Sequence, residues 1–398
     1  MTGYTFGISE NFNGDSIALA LCGGALLGAS VVVKTSCLSG VLGISNYTKR
    51  LIAQPELKRV FFIGGMVIAS VVLSYAYAGT ETLPVPGSSN SERSELVLRL
   101  IAGSFLVGLG ASLQHGCTSG HGLTGIARLS PRSWVAVPTF MTVGLVSASL
   151  MQSSQALPDQ GFDGPDWWVG CVLAAGLAIF LVLVASALWV VGRRGSDKLI
   201  QLSLLLGEFV VGATFGSGLL ISGMARASKV AAFLDVLSGK WDPTLPFVMG
   251  GGVMVTFPYF QAVRWLGFQK KAFLHPEHLD LPPAHRMPDR TLVLGSTLFG
   301  FGWAVCGVCP GPIWVNLGAN PSREMVIALL SLTAGLCAQD ALKTLRNAIT
   351  DHKPQATSAD KEAAVQPSKA ANPADFQAGD ANPNNQQSEF EEERRVST

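Results

Sequence analysis

Seven mostly apolar runs, at about 59–78, 96–114, 133–152, 167–192, 199–222, 244–262 and 324–341, set the terms on which this chain can fold. A helix rising 1.5 Å per residue needs about 20 residues to cross a hydrocarbon core about 30 Å thick. Two weaker, glycine-rich runs lie near 17–45 and 291–318. Only 14% of the 398 residues are charged, against roughly 25% in soluble domains, so a globule made of this chain has too little charge to cover it. In lipid, backbone amides must bond within a helix or a closed barrel, and runs of this length select helices. The expected fold class is all-α: a polytopic membrane protein with about nine helical segments. The lipid bilayer is therefore the expected surrounding; the net charge of +1 says little about other partners, and no nucleic-acid partner is expected.

Residues 1–13 contain no Lys or Arg, so they lack the basic start of a signal peptide and no cleaved leader is expected. With nine crossings, seventeen Lys and Arg fall on one side, from Lys49 and Arg50 through Arg128 and Arg132 to Lys343, Arg346 and Lys353, and five on the other. Positive loops stay in the cytosol. That places the N-terminus outside and the C-terminus in the cytosol, in a multi-pass protein of the cell membrane. Residues 352–398 turn rich in Ala, Asn, Pro, Gln, Ser and charge, a composition that cannot bury a core, and are expected to be a disordered cytosolic tail.

A unit occurs four times. Aligning Gly28, Gly108, Gly216 and Gly300 puts small residues two positions later at Ser30, Gly110, Gly218 and Gly302, and puts Cys37, Cys117, Ala225 and Cys309 nine positions later. An X-Pro pair then opens each following apolar run: Gln54-Pro55, Ser130-Pro131, Asp242-Pro243 and Asn320-Pro321. Ser, Asp or Asn at the cap with proline at the first helical position is a helix start. The distances from the cysteine position to the proline are 18, 14, 18 and 12, and this alternation pairs the units into halves. The expected organisation is a first membrane half at 14–153, a linker helix and loop at 154–198, and a second half at 199–345. The linker makes the number of crossings before the second half odd, so the halves are expected to be inverted, with broken or re-entrant glycine-rich helices. Transporters with inverted repeats build their sites at the bilayer midplane.

Around the cysteines stand Lys34-Thr-Ser-Cys37, His115-Gly116-Cys117-Thr118-Ser119-Gly120-His121 and Cys306-Gly-Val-Cys309-Pro-Gly311. Gly and Pro at this density break a helix, and the freed amides must be buried or face a polar path. Amides and half-helix N-termini make anion sites; Gly116, Thr118, Ser119, Gly120 and Gly311 are the candidates. A buried thiol stays protonated and donates a hydrogen bond without a fixed charge to trap the ion. Cys37, Cys117 and Cys309 are therefore candidate path residues, whereas Cys22, Cys171 and Cys337 read as packing. Cys306 with Cys309 forms a CxxC that also suits a redox pair or a metal half-site, yet nothing in the sequence completes a four-ligand set. No metal or cofactor is expected. Lys34 either draws an anion inward or snorkels to the interface. His115 and His121 either line a vestibule or bond to carbonyls. Glu208, in an apolar helix, pairs with a basic residue or stays protonated.

Two stretches resemble the YeeE/YedE sulfur-transport family: Gly116-Cys117-Thr118-Ser119-Gly120-His121-Gly122 followed by Ala127-Arg128-Leu129-Ser130-Pro131-Arg132-Ser133, and Phe299-Gly300-Phe-Gly302-Trp303 leading to Cys309-Pro310-Gly311-Pro312. A third comprises Ser222-Gly223-Met224, Lys229-Val230, Phe233-Leu234-Asp235 and Trp241-Asp242-Pro243. The layout resembles a fusion of the family's half-size proteins. The resemblance implies thiosulfate uptake through an inverted-repeat helical fold, with three central cysteines contacting the ion, carried here by Cys117, Cys309 and Cys37. The expected function is a permease for thiosulfate or a related small sulfur oxyanion, not an enzyme. Two other activities remain open: a membrane sulfurtransferase forming a persulfide at Cys117, and a neutral-solute channel.

Overall fold

A computed structural model describes residues 7–9, 12–38, 40–76, 90–152, 166–266 and 287–351. The expected tail at 352–398 lies outside the described residues. Residues Met1–Leu345 make one compact unit. Among its described residues the elements are helices, and the β pairing is a single bridge between Ile8 and Trp241. Among the described residues, eight segments are long and apolar enough to cross a membrane, with Arg290–Ala319 counted as one. The expected run at 244–262 forms a further 21-residue helix, Leu245–Trp265, whose hydropathy is diluted by Gly250, Gly251, Gly252 and Pro258.

Each repeated unit is a long helix, a short helix and a long helix. The first is α1 (Gly14–Leu38), α2 (Ile44–Ala53) and α3 (Leu57–Ala76). In the second, α4 (Asn90–Gln114) and α5 (Pro131–Met151) flank a π-helical turn, Ser119–Gly125. After the linker helix α6 (Trp167–Arg194) come α7 (Asp197–Ile221), α8 (Ala227–Leu234) and α9 (Leu245–Trp265), then α10 (Arg290–Cys306), α11 (Pro310–Ala319) and α12 (Arg323–Asp351). Where the sequence suggests a loop, a short helix satisfies the backbone groups that a loop would leave bare in the membrane.

Of the X-Pro starts, only Ser130-Pro131 opens its helix directly, and the Ser130 side chain makes no capping bond. At the other three the helix begins two residues beyond the proline, at Leu57, Leu245 and Arg323. Asp242 shows why: its Oδ1 accepts from the Thr244 amide at 3.0 Å, making a turn that delays the helix.

The first helices of the units end differently. His115, Gly223 and Gly307 have φ of 62°, 73° and 69°, a left-handed residue that terminates a helix. Each stands seven positions after its aligned glycine. In the first unit that position is Thr35, and α1 runs on to Leu38. Cys117 and Cys309 therefore follow a break, whereas Cys37 lies on an unbroken helix, contrary to the expected break there.

Close contacts give the helix directions. A Cβ on Gly23 would lie 2.6 Å from the Ser222 amide nitrogen, and Lys34 meets Glu208, so α1 runs antiparallel to α7. A Cβ on Gly103 would meet the Cβ of Cys306 at 2.5 Å, and one on Gly110 the Phe299 nitrogen at 2.5 Å, so α4 runs antiparallel to α10. By the same measure Gly24 and Gly28 meet Val248 and Gly252, while Gly212 and Gly216 meet Phe62 and Met66. Hence α1 is parallel to α9 and α7 to α3, and corresponding helices of the two halves run in opposite senses. Small residues permit such approach where lipid offers no hydrophobic drive. Outward, Ile68, Val72, Val146, Leu150, Leu183 and Leu330 are exposed, an apolar surface suited to hydrocarbon.

Candidate functional site

The break after α4 and the break after α10 bring two cysteines to one cavity. A cavity of about 50 Å³ is lined by Cys117, Thr118 and Ser119 from the second unit and by Cys309, Gly311 and Pro312 from the fourth. A water needs roughly 10–15 Å³ of such space, so the cavity has room for a small ion. Its walls are apolar, including Leu27, Phe140, Phe215 and Val248. Cys117 Sγ lies 3.2 Å from Ser119 Oγ, and Cys309 Sγ lies 3.9 Å from Thr118 Oγ1. Cys309 is the N-cap of α11. The positive end of α11 thus meets the cavity at a thiol.

Trp303 also lines this space, 1% exposed, with its ring edge-on to Phe140 at 6.4 Å. Its indole Nε1 is buried with no hydrogen-bond partner. Such an orphaned donor costs about 1–3 kcal/mol unless something accepts from it, and an anion in the cavity is an acceptor.

A second, polar cavity of about 350 Å³ lies across the segment Gly116–His121. Gly116, Gly120 and His121 line it, whereas Cys117, Thr118 and Ser119 line the first. The partition between the two spaces is therefore one stretch of chain. The residues around this vestibule include Lys49, Gln114, His115, Thr124, Arg128 and Arg132.

Other expected site residues are placed as follows. Lys34 is buried and directed to Glu208, with its Nζ 5.6 Å from the centroid of the Tyr47 ring; its charge is met there, so neither expected role, drawing an anion nor snorkelling, describes it. Cys37 is fully buried beside Ser36 Oγ at 3.5 Å and lines neither cavity. His121 sits between the Gln114 carbonyl at 3.2 Å and Ser133 Oγ at 3.0 Å, while still bordering the vestibule. His115 is exposed on the vestibule. The Gly116 amide, an expected anion ligand, is taken by the Ala111 carbonyl at 3.0 Å, which closes the end of α4. Cys306 donates to the Gly302 carbonyl at 3.1 Å and packs on Gly103, away from the cavity. Cys22 and Cys171, read as packing residues, bring their sulfurs to 2.6 Å between α1 and α6.

Sequence reasoning passed over Trp303 although it ends a quoted motif, because nothing local marks an indole as unpartnered. Lys49 stands in the sequence as a loop charge, and Arg128 and Arg132 as loop charges within a quoted motif.

Comparison with known proteins adds an independent line. The family described as "Sulphur transport" matches residues 44–147, and a family of unknown function, DUF6691, matches residues 203–350. A "Probable transporter" of Xylella fastidiosa strain Temecula1 is 36% identical over 131 residues, covering 33% of this chain and 84% of that protein. One from strain 9a5c is 37% identical over 133 residues, covering 33% and 86%. A second protein of strain 9a5c, with the same description, is 34% identical over 132 residues, covering 33% and 92%. These relatives are less than half the length of this chain.

Proposed function

We propose, from the premise that this chain belongs to the YeeE/YedE-type sulphur-transport family and is a membrane transporter, that it takes up thiosulfate along the thiols of Cys117 and Cys309. The observation that carries this reading is that both thiols line one buried cavity at the broken ends of helices from opposite halves. An anion entering apolar walls loses water and must be repaid in hydrogen bonds. Two thiols, the hydroxyls of Thr118 and Ser119, the Trp303 indole and the N-terminus of α11 supply them without a fixed cation. Binding that is sufficient but weak lets an ion leave again. The polarizable terminal sulfur of thiosulfate suits thiols and aromatic walls better than the more strongly hydrated sulfate does. The membrane orientation that fits is the one expected from loop charge, with the vestibule and its Lys49, Arg128 and Arg132 facing the cytosol.

His115 and His121 border the vestibule rather than this cavity, and the near neighbour of Cys117 is a serine hydroxyl, so neither histidine is placed to activate Cys117 as a nucleophile. Uptake of labelled thiosulfate by cells expressing the wild type, Cys117→Ala, Cys309→Ala, Trp303→Phe and Cys306→Ala tests the reading. A hydrogen bond to a charged group is worth about 1.5–3 kcal/mol, so each of the first three variants should weaken uptake about 10- to 100-fold, with Cys306→Ala near wild type. Equal uptake by all five proteins removes the thiol path, and a persulfide on Cys117 in mass spectra after thiosulfate exposure replaces it with sulfur transfer.

A further inference from the structure

The vestibule, on the far side of the Gly116–His121 partition from the cysteines, carries the makings of a second anion site. Gln114, Thr124 and Arg132 all line it, are 0%, 1% and 7% exposed, and each has a buried polar atom with no partner: Nε2, Oγ1 and Nη2. Other polar atoms of Gln114 and Arg132 are occupied. Gln114 Oε1 accepts from Ser296 at 2.7 Å, and Arg132 Nη1 reaches Asp289 at 3.1 Å and the Met287 carbonyl at 3.2 Å. Three unsatisfied donors on side chains that line one polar space, two of them anchored by other bonds, call for an acceptor.

Two further features fix the charge of that acceptor. The N-terminal residues of α2 and of α5, Gly43 and Ser45 in one case and Ser130, Arg132 and Ser133 in the other, border the same space, and neither helix has a side-chain cap. Both helix dipoles therefore present their positive ends to it. Lys49 and Arg128 add cationic groups, and no Asp or Glu is among the described residues that line the space. Lys49 is braced by Asp340 at 2.8 Å and Ser112 at 3.1 Å, which holds its ammonium at the rim.

We propose that the vestibule binds a doubly charged tetrahedral oxyanion, and that during transport it holds thiosulfate next to the Cys117 partition. The identity of the ion rests on the uptake reading above, whereas the site itself does not. The ion would accept from Thr124, Gln114 and Arg132, with the ends of α2 and α5 supplying the remaining positive potential.

Equilibrium binding of radiolabelled thiosulfate and sulfate to the purified full-length protein in detergent tests this. In the Cys117→Ala/Cys309→Ala protein, one ion should still bind. Adding Thr124→Val or Lys49→Gln should weaken that residual binding about tenfold or more, and in the otherwise wild-type protein the same changes should raise KM for uptake more than they lower its maximum rate. Thr124→Val is nearly isosteric, and a wild-type elution volume and melting temperature will show that the protein is folded. Absence of oxyanion binding in the folded double-cysteine variant overturns the site, as does residual binding indifferent to both vestibule changes. Residual sulfate binding that responds to Thr124→Val in a protein without thiosulfate uptake upholds the site and refutes the uptake reading.

Discussion

Replacing Lys34 and Glu208 singly and then together separates a structural ion pair from an attractor of the transported ion. The side chains are 5% and 2% exposed and touch directly, and neither lines the central cavity or the vestibule. Lys34→Met leaves the Glu208 carboxylate with the Tyr47 hydroxyl, 3.4 Å away, in an apolar interior. Stranding one member of a buried pair costs about 3–5 kcal/mol, a large part of the roughly 5–15 kcal/mol that holds a protein folded. Lys34→Met/Glu208→Leu removes both charges, and such replacements are often neutral or stabilising by about 1–4 kcal/mol. Against that, Tyr47 loses an acceptor, at about 1 kcal/mol. The single variants should therefore melt well below the wild type in fluorescence-detected size exclusion. The double variant should lie within about 2 kcal/mol of wild type and transport at a comparable rate per folded molecule in liposomes. A double variant that is stable but silent would return Lys34 to the ion path, and single variants as stable as wild type would refute the buried pair.

Two more expectations follow from the packing. Gly110→Ala would place a Cβ 2.5 Å from the Phe299 nitrogen and 2.6 Å from the Gly295 oxygen, so overpacking of about 1–3 kcal/mol should outweigh a helix-propensity gain of about 1 kcal/mol and lower the melting temperature. Gly250→Ala, with nothing within 4 Å of the added atom, should not; equal melting of the two would refute the backbone contact. Mild copper-catalysed oxidation should join Cys22 to Cys171, whose sulfurs are 2.6 Å apart, and a peptide cross-link seen by mass spectrometry should vanish in Cys22→Ala. Failure to form the link would mean that α6 does not sit against α1 as described.

The helical fold, the spans and the opposed directions of the halves were legible because run length and glycine spacing report directly on bilayer thickness and helix contact. Alignment by glycine also led to Cys117 and Cys309. It treated Cys37 as their equal, because the alignment sees position and not conformation. The residue that decides the matter stands two places earlier: His115 and Gly307 adopt positive φ, and Thr35 at the matching point continues its helix. Lys34 and Glu208 were each singled out, but a pair separated by 174 positions is joined only by the antiparallel crossing of α1 and α7. Of the vestibule only His115 and His121 were legible, since Lys49, Gln114 and Arg132 meet them through tertiary packing alone.

Where α4 crosses α10 and α1 crosses α7, glycines bring backbone close to backbone at several points. Such seams do not slide by small increments, because each step would drive a peptide group into its neighbour. Enlarging any of these glycines would therefore push the paired helices apart, and with them the broken helix ends that carry Cys117 and Cys309.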